Sequence, residues 1–331
     1  MKNAETAMSI IPSTFDARQI NHTSLGGSEK PEKVLMPVTC IVINRAINQY
    51  RSRIFKNLES CGFQKIVSVE RFSQNRNTVQ LSHEFPAIKF LCSQDEVTEC
   101  ELVNLGMNEV DTRYVLVVYD DVCLEEFRFT PQLAKKLVAF GIFCVCPRVM
   151  TSERQNLPVR FTPCAEKTSF LVDSSLNIVD RAQTLYPFDM LGFYDADTFK
   201  QLGGFDYTIK APYWQRLDLF FRAWLWGEKI LLSSAFNLSY FGDVPADDST
   251  TDFSYLQFYL KNLIPVFKND HGEILKSSFF SFKARSSCGF NEALALFSRA
   301  AKWVKLNAYR FKTDSVSLME HWGQDKGESE Q

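Results

Sequence analysis

The stretch RYVLVVYDDVCLEEF, Arg113 to Phe127, decides the fold. An unbroken apolar and aromatic run, Tyr114 to Tyr119, leads into the adjacent acids Asp120 and Asp121. A run of strand length with no polar alternation reads as a strand buried on both faces, the signature of a parallel sheet covered by helices. Adjacent side chains on a strand point to opposite faces, so continuing the strand would drive one aspartate into the core. If the strand ends at Tyr119, both carboxylates turn toward the crevice where open α/β sheets bind ligands. Two carboxylates with no lysine beside them suit a hard cation, Mg²⁺ or Mn²⁺, that also holds substrate phosphates. The competing reading is a plain turn, because Asp is a common turn residue.

Outward from this strand the same alternation repeats. VLMPVTCIVI, from Val34, and QKIVSVE, PAIKFLC and IFCVCPRV read as strands. Between them NQYRSRIFKNLESCG, DEVTECELVNLGMNEV and TPQLAKKLVAFG read as helices, the last capped by Thr130 with Pro131 in its first turn. The expected architecture is α/β: a mostly parallel central sheet flanked by helices, with a helical C-terminal extension. Residues 1–33 are polar and read as a flexible arm, 34–250 as the α/β domain and 251–331 as the extension with a polar tail. SFLVDSSLNIVD reads as a hairpin around Asp173-Ser174-Ser175, and APYWQRLDLFFRAWLWGEK as an aromatic helix entered through Pro212 and closed at Gly227.

Several function classes are disfavoured. The 331 residues are 45% apolar and 23% charged with a net charge of −2, so no field of the whole protein captures nucleic acid. GxGxxG, GxxxxGK[ST] and GxSxG are absent, which argues against a nicotinamide dehydrogenase, a P-loop NTPase and a serine hydrolase. The four histidines are far apart. Nine cysteines, none in a CxxC pair, read as reduced buried thiols. No apolar run approaches the roughly 20 residues of a membrane span. The N-terminus lacks the pattern of a cleaved signal, so a cytoplasmic location is expected.

The order of these segments resembles the family 2 glycosyltransferases of GT-A fold. VTCIVINRAINQYRSRIFKNLES is similar to that family's opening strand and helix. ECELVNLGMNEVDTRYVLVVYDDV is similar to the helix and strand that carry its metal-binding Asp pair, with Asn104, Gly106, Asp120 and Asp121 at the matching positions. DTFKQLGGFD is similar to its Gly-Gly-Phe-Asp turn, and WQRLDLFFRAWLWG to its acceptor helix. The resemblance spans about residues 36–240 and implies transfer of a sugar from a nucleoside-diphosphate donor to a glycan or lipid-linked acceptor, with Mg²⁺ or Mn²⁺ held by Asp120 and Asp121. Glu70 stands where the family has an acid near the base or ribose. Asn44 and Arg45, just past the first strand, and Asn104 and Arg216 are further donor-binding candidates.

The family's catalytic base lies in a Glu-Asp pair at the start of the acceptor helix, and here Gln215-Arg216 occupies that place. A guanidinium stays protonated at any working pH and cannot be a general base. Asp218, one turn on, is the candidate base, with Asp243 as the alternative and Asp195, Asp197 and Glu166 as further carboxylates; a binding protein without turnover is the other reading. Asp218 and Arg222 also form an ordinary i,i+4 pair. In NEALALFSRAAKWVKLNAYRFK, Leu294, Phe297, Ala301, Val304, Ala308 and Phe311 form one apolar stripe beside Arg299, Lys302, Lys305, Arg310 and Lys312. Such a helix either packs on its own domain or lies peripherally on the inner face of the cytoplasmic membrane.

Overall fold

The computed structural model describes residues 18–45, 51–71, 77–123, 128–166, 169–244 and 246–324. Its centre is a nine-stranded sheet. Strand β1 (His22–Gly26) lies at one edge, followed across the sheet by β4 (Lys89–Ser93), β3 (Phe63–Arg71), β2 (Met36–Ile43) and β5 (Tyr114–Tyr119). Beyond β5 come β10 (Gly192–Asp195), β7 (Cys144–Met150), β11 (Ile230–Tyr240) and the two-residue β6 (Val122–Cys123). The block β4-β3-β2-β5 is parallel, as the apolar runs require, and so is β7-β11. The short β10 joins the two blocks by pairing antiparallel with both. The sheet is therefore mixed, because GFYD is too short and too irregularly flanked to announce its direction.

The helices follow from local signals. Helix α3 (Glu99–Asn108) opens with a capping box in which Thr98 and Glu101 satisfy each other's backbone N–H groups. Helix α4 (Pro131–Val138) is capped by Thr130 as expected, and α5 (Ala196–Leu202) ends on Gly203 at φ 89°. Helices α1 (Arg51–Cys61) and α2 (Thr78–Glu84) cover the parallel block. Helix α3 approaches β2 and β3 closely at Gly106, where a Cβ would lie 2.9 Å from Ile41 Cγ2 and 3.2 Å from Val69 Cγ1. Gly106→Ala overpacks that contact and is expected to lower stability by about 1–3 kcal/mol, read as a shifted urea midpoint with unchanged slope.

Three expectations change. Residues 22–26 of the expected arm form β1, paired antiparallel with β4, while residues 1–17 lie outside the described part. Asp173 sits inside β9 (Ser169–Ser175), opposite Thr162 of β8 (Arg160–Glu166), so it is a strand residue and not the turn that its Asp-Ser-Ser suggested. The C-terminal extension is not wholly helical: α7 (Phe253–Phe258) passes into a π-helical turn, Tyr259–Leu263, and then a small hairpin, β12 (Val266–Lys268) and β13 (His271–Glu273). Helices α8 (Ser278–Arg285), α9 (Phe290–Leu306) and α10 (Ser315–Glu320) complete it. The buried stripe of α9 is Ala293, Leu296, Phe297, Ala300 and Val304, so Leu294 faces outward. The helix packs on its own domain, with Trp303 stacked on Trp226. Among the described residues no helix is long and apolar enough to cross a membrane. All nine cysteines are free thiols.

Candidate active site

A cavity of about 240 Å³ opens beyond the carboxyl ends of β2, β3, β4 and β11. Arg45 after β2, Arg71 at the end of β3, Glu99 at the start of α3, Arg216 in helix α6 (Pro212–Leu225) and Asp247 after β11 all line it, with Asp189 at its floor. This is the place where parallel α/β sheets put their ligands, because the loops there belong to different strands and converge.

Asp120 and Asp121 follow β5, and the strand does end at Tyr119. They have different surroundings. Asp120 is wholly buried, and its oxygens accept from Asn44 Nδ2 at 2.9 Å and from the Arg45 backbone N–H at 3.0 Å. Burial pushes its carboxyl up to about 7 against the pull of the Arg45 N–H. Asp120 and Asn44 thus tie the end of β2 to the end of β5. Asp121 accepts from the Arg45 guanidinium at 3.3 Å through Oδ2, while its Oδ1 is buried and unpartnered. Burial raises this carboxyl, and Arg45 opposes the rise.

Arg45 centres the site. Its guanidinium lies over the Tyr119 ring, 3.4 Å from the centroid, and pairs with Asp189 and Asp121, with Glu99 at 3.8 Å. Arg216 pairs with Asp247 and, at 3.5 Å, with Asp189. Asp189 also accepts from Tyr240 Oη at 2.6 Å, and burial raises its carboxyl despite both arginines. Asp189 and Met190 have φ of 52° and 58°, a left-handed conformation costly for methionine, held where one carboxylate must meet two arginines. The acids around the cavity, Glu99, Asp189, Asp247 and Asp248, outnumber the arginines Arg45, Arg71 and Arg216.

Four expected residues lie elsewhere. Glu70 is buried against Arg51, Ser68 and Thr78, a pairing that pins α1 and α2 to β3. Asn104 clamps the backbone of Phe205 through both amide atoms, at 2.8 and 3.0 Å. It holds the Gly-Gly-Phe-Asp turn and does not face the cavity. Asp218 is wholly buried: Asn262 donates to Oδ1 at 2.7 Å, and Arg222 and Lys261 donate to Oδ2, Lys261 at 3.1 Å. It does not line the cavity, and its bonds hold α6 to the neighbouring elements. Asp243 is exposed and is not part of the cavity wall. Of the remaining carboxylates, Asp195 lies opposite Tyr114 at the far end of β5, capping α5, Asp197 is exposed in the first turn of α5, and the side chain of Glu166 lies outside the described residues. Asn44, Arg45, Asp120 and Asp121 lie together, and Arg216 joins them through Asp189. Asp189 and Asp247 were missed, since they sit in segments without periodicity, and Glu99 because nothing in the sequence of its helix sets it apart from the other acids of the first turn.

The Asp218 network extends to Asp206 in the Gly-Gly-Phe-Asp turn, which accepts from Lys261 Nζ at 2.8 Å. Burial raises the Asp206 carboxyl, but Lys261 and two bonds from Thr208 outweigh it and hold the group at about 2. Its folded value is below the unfolded one of about 3.9, so the stability it contributes is complete above pH ~4 and is lost as pH falls toward ~2. Asp206→Asn is expected to flatten the pH dependence of unfolding free energy in that window and to leave the slope near neutrality unchanged.

Among solved structures, the chain is similar to GalNAc-T7 with UDP, GalNAc and Mn²⁺, at TM-score 0.50 and 10% identity, over 88% of this chain and 59% of that one. Similar too are TarS of S. aureus (TM-score 0.47, 12% identity, 85% and 45%) and the mannosyltransferase PcManGT of Pyrobaculum calidifontis in complex with GDP-Man and Mn²⁺ (0.44, 10%, 86% and 73%). The chain thus spans under half the length of that TarS structure. No protein-family profile and no curated protein sequence matches it. The chain has an α/β fold of the GT-A glycosyltransferase type. At such identities the likeness speaks to the fold alone.

Proposed function

We propose that the chain is a glycosyltransferase that moves a sugar from a nucleoside-diphosphate donor to a hydroxyl of a glycan or lipid-linked acceptor. The observation that carries this reading is the cavity at the strand ends, where Arg45 and Arg216 converge on Asp189 beside Asp121. Guanidinium groups match phosphate oxygens in bidentate fashion, so these two arginines suit a diphosphate.

A divalent cation is part of the proposal, on the orphaned buried oxygen of Asp121 and the surplus of acids around the cavity. Among the described residues no group of three or more acids, histidines or cysteines forms a cation cage. A hard cation bound by one or two carboxylates together with substrate phosphates needs none. Asp121 is then the ligand, and Asp120 positions the β2 turn instead of coordinating. The bound cation would offset the charge that develops on the departing diphosphate. Arg45 and Arg216 hold that diphosphate, and Asp189 holds both arginines in place. Asp247 is the proposed base. It reaches the start of α6 from the loop after β11 and pairs with Arg216, so it restores a carboxylate where Gln215-Arg216 has none.

A screen of nucleotide sugars for release of free nucleoside diphosphate tests the proposal. Release from one donor, dependent on Mg²⁺ or Mn²⁺, is expected. Donor binding without any release, with or without acceptor, would favour the binding protein over the transferase.

A further inference from the structure

The C-terminal extension differs from the rest of the chain in charge and in what it leaves uncovered. From Leu275 to Lys312 it holds eight of the chain's 37 basic residues and one of its 39 acidic ones, Glu292. This span is therefore at +7 while the remainder is at −9. The same span exposes Phe280 by 74% and Phe290 by 59%, together with Leu294 and Leu306. Phe280, Phe290 and Leu294 are not scattered single residues. Phe280 of α8 and Phe290 of α9 both set their rings against Phe279, each with centroids 5.7 Å apart, so the two exposed rings flank one contact between the helices. Leu294 is one turn beyond Phe290 on the same side of α9. Lys283, Lys302 and Lys305 stand on the same two helices, the last two exposed.

We propose that this face of α8 and α9 is an interfacial membrane-docking surface: Phe280, Phe290 and Leu294 enter the headgroup region of an anionic bilayer, and the surrounding lysines and arginines meet its phosphates. Phosphates alone, as in a nucleic acid, do not repay the exposure of Phe280, Phe290 and Leu294, whereas the apolar edge of a bilayer does. The basic residues add attraction to an anionic leaflet that salt weakens. Of the apolar stripe first expected to face a membrane, Phe297, Val304, Ala308 and Phe311 are buried in the protein while Leu294 is exposed, so the docking face is the edge of that stripe at Phe290 and Leu294 together with α8. The inference stands independently of the transferase reading.

Flotation of the full chain with vesicles of phosphatidylcholine alone, and of phosphatidylcholine mixed with phosphatidylglycerol, tests it. The protein is expected to float with the anionic vesicles and not with the neutral ones. Phe280→Glu combined with Phe290→Glu is expected to lower the bound fraction constant by at least about tenfold. Both rings are exposed, so this variant keeps its fold, checked by an unchanged urea midpoint. A second variant, Lys302→Glu with Lys305→Glu, tests the charge arm and is expected to release the protein at lower salt. Equal flotation of wild type and the phenylalanine variant overturns the proposal, as does absence of flotation with anionic vesicles. Retention of duplex DNA without flotation assigns the face to an anionic polymer and overturns it equally.

Discussion

Asp247→Asn is expected to lower kcat by about 10²- to 10⁴-fold while donor affinity stays close to wild type. The expectation follows from where the carboxylates lie. The acceptor hydroxyl must lose a proton as it attacks, and the start of α6 carries Gln215 and Arg216, neither able to accept it. Gln215 is wholly buried, bonding Thr98 and the Asp206 backbone. Asp247 is the carboxylate joined to Arg216 that is also open to solvent, with its side chain 38% exposed. The arginine fixes its position. Asp248→Asn on the neighbouring residue provides the comparison, because its carboxylate bonds the Thr250 backbone. Equal losses in the two variants would assign the effect to the loop and not to the base.

The second large effect is on stability. Asp218→Ala is expected to cost about 3–5 kcal/mol, because it leaves buried Arg222 and Lys261 without the carboxylate they share. Arg222 would keep the carbonyls of Leu202 and Gly204, at 3.1 and 2.6 Å, and Lys261 would keep Asp206. Neither set offsets a lost buried charge. The network joins α6, the Gly-Gly-Phe-Asp turn and the π-helical turn, and Lys261 also lies over Trp303 of α9 at 4.6 Å. One deletion therefore loosens the domain's hold on its C-terminal extension. Asp218→Asn retains hydrogen bonding without the charge and is expected to fall between wild type and alanine. Urea unfolding measures both.

These two results bear on what could be read along the chain. The parallel strands were legible because Met36–Ile43 and Tyr114–Tyr119 are apolar runs of strand length, and α3 and α4 because Thr98 and Thr130 are good caps. The pairing of β10 was not, since strand direction is set by neighbours distant in sequence. Glu70 and Asn104 show the same limit for single residues. Their types suited a ligand, but Arg51 and Phe205, the partners that bury them, are 19 and 101 positions away. Asp218 looked like a helix-surface pair with Arg222 because Lys261 and Asn262 come from another element. Asp189 and Asp247 lie in segments with no period, so only the assembled strand ends reveal that they meet Arg45 and Arg216.

The transferase account rests on donor binding at Asp121 and the two arginines. Calorimetric titration of a panel of nucleoside-diphosphate sugars, with and without Mn²⁺, on the wild type and on Asp121→Ala measures it directly. The account predicts heat with at least one donor, strengthened by Mn²⁺ and at least about 100-fold weaker in the variant. No heat with any donor, in the presence or absence of the cation, would contradict it.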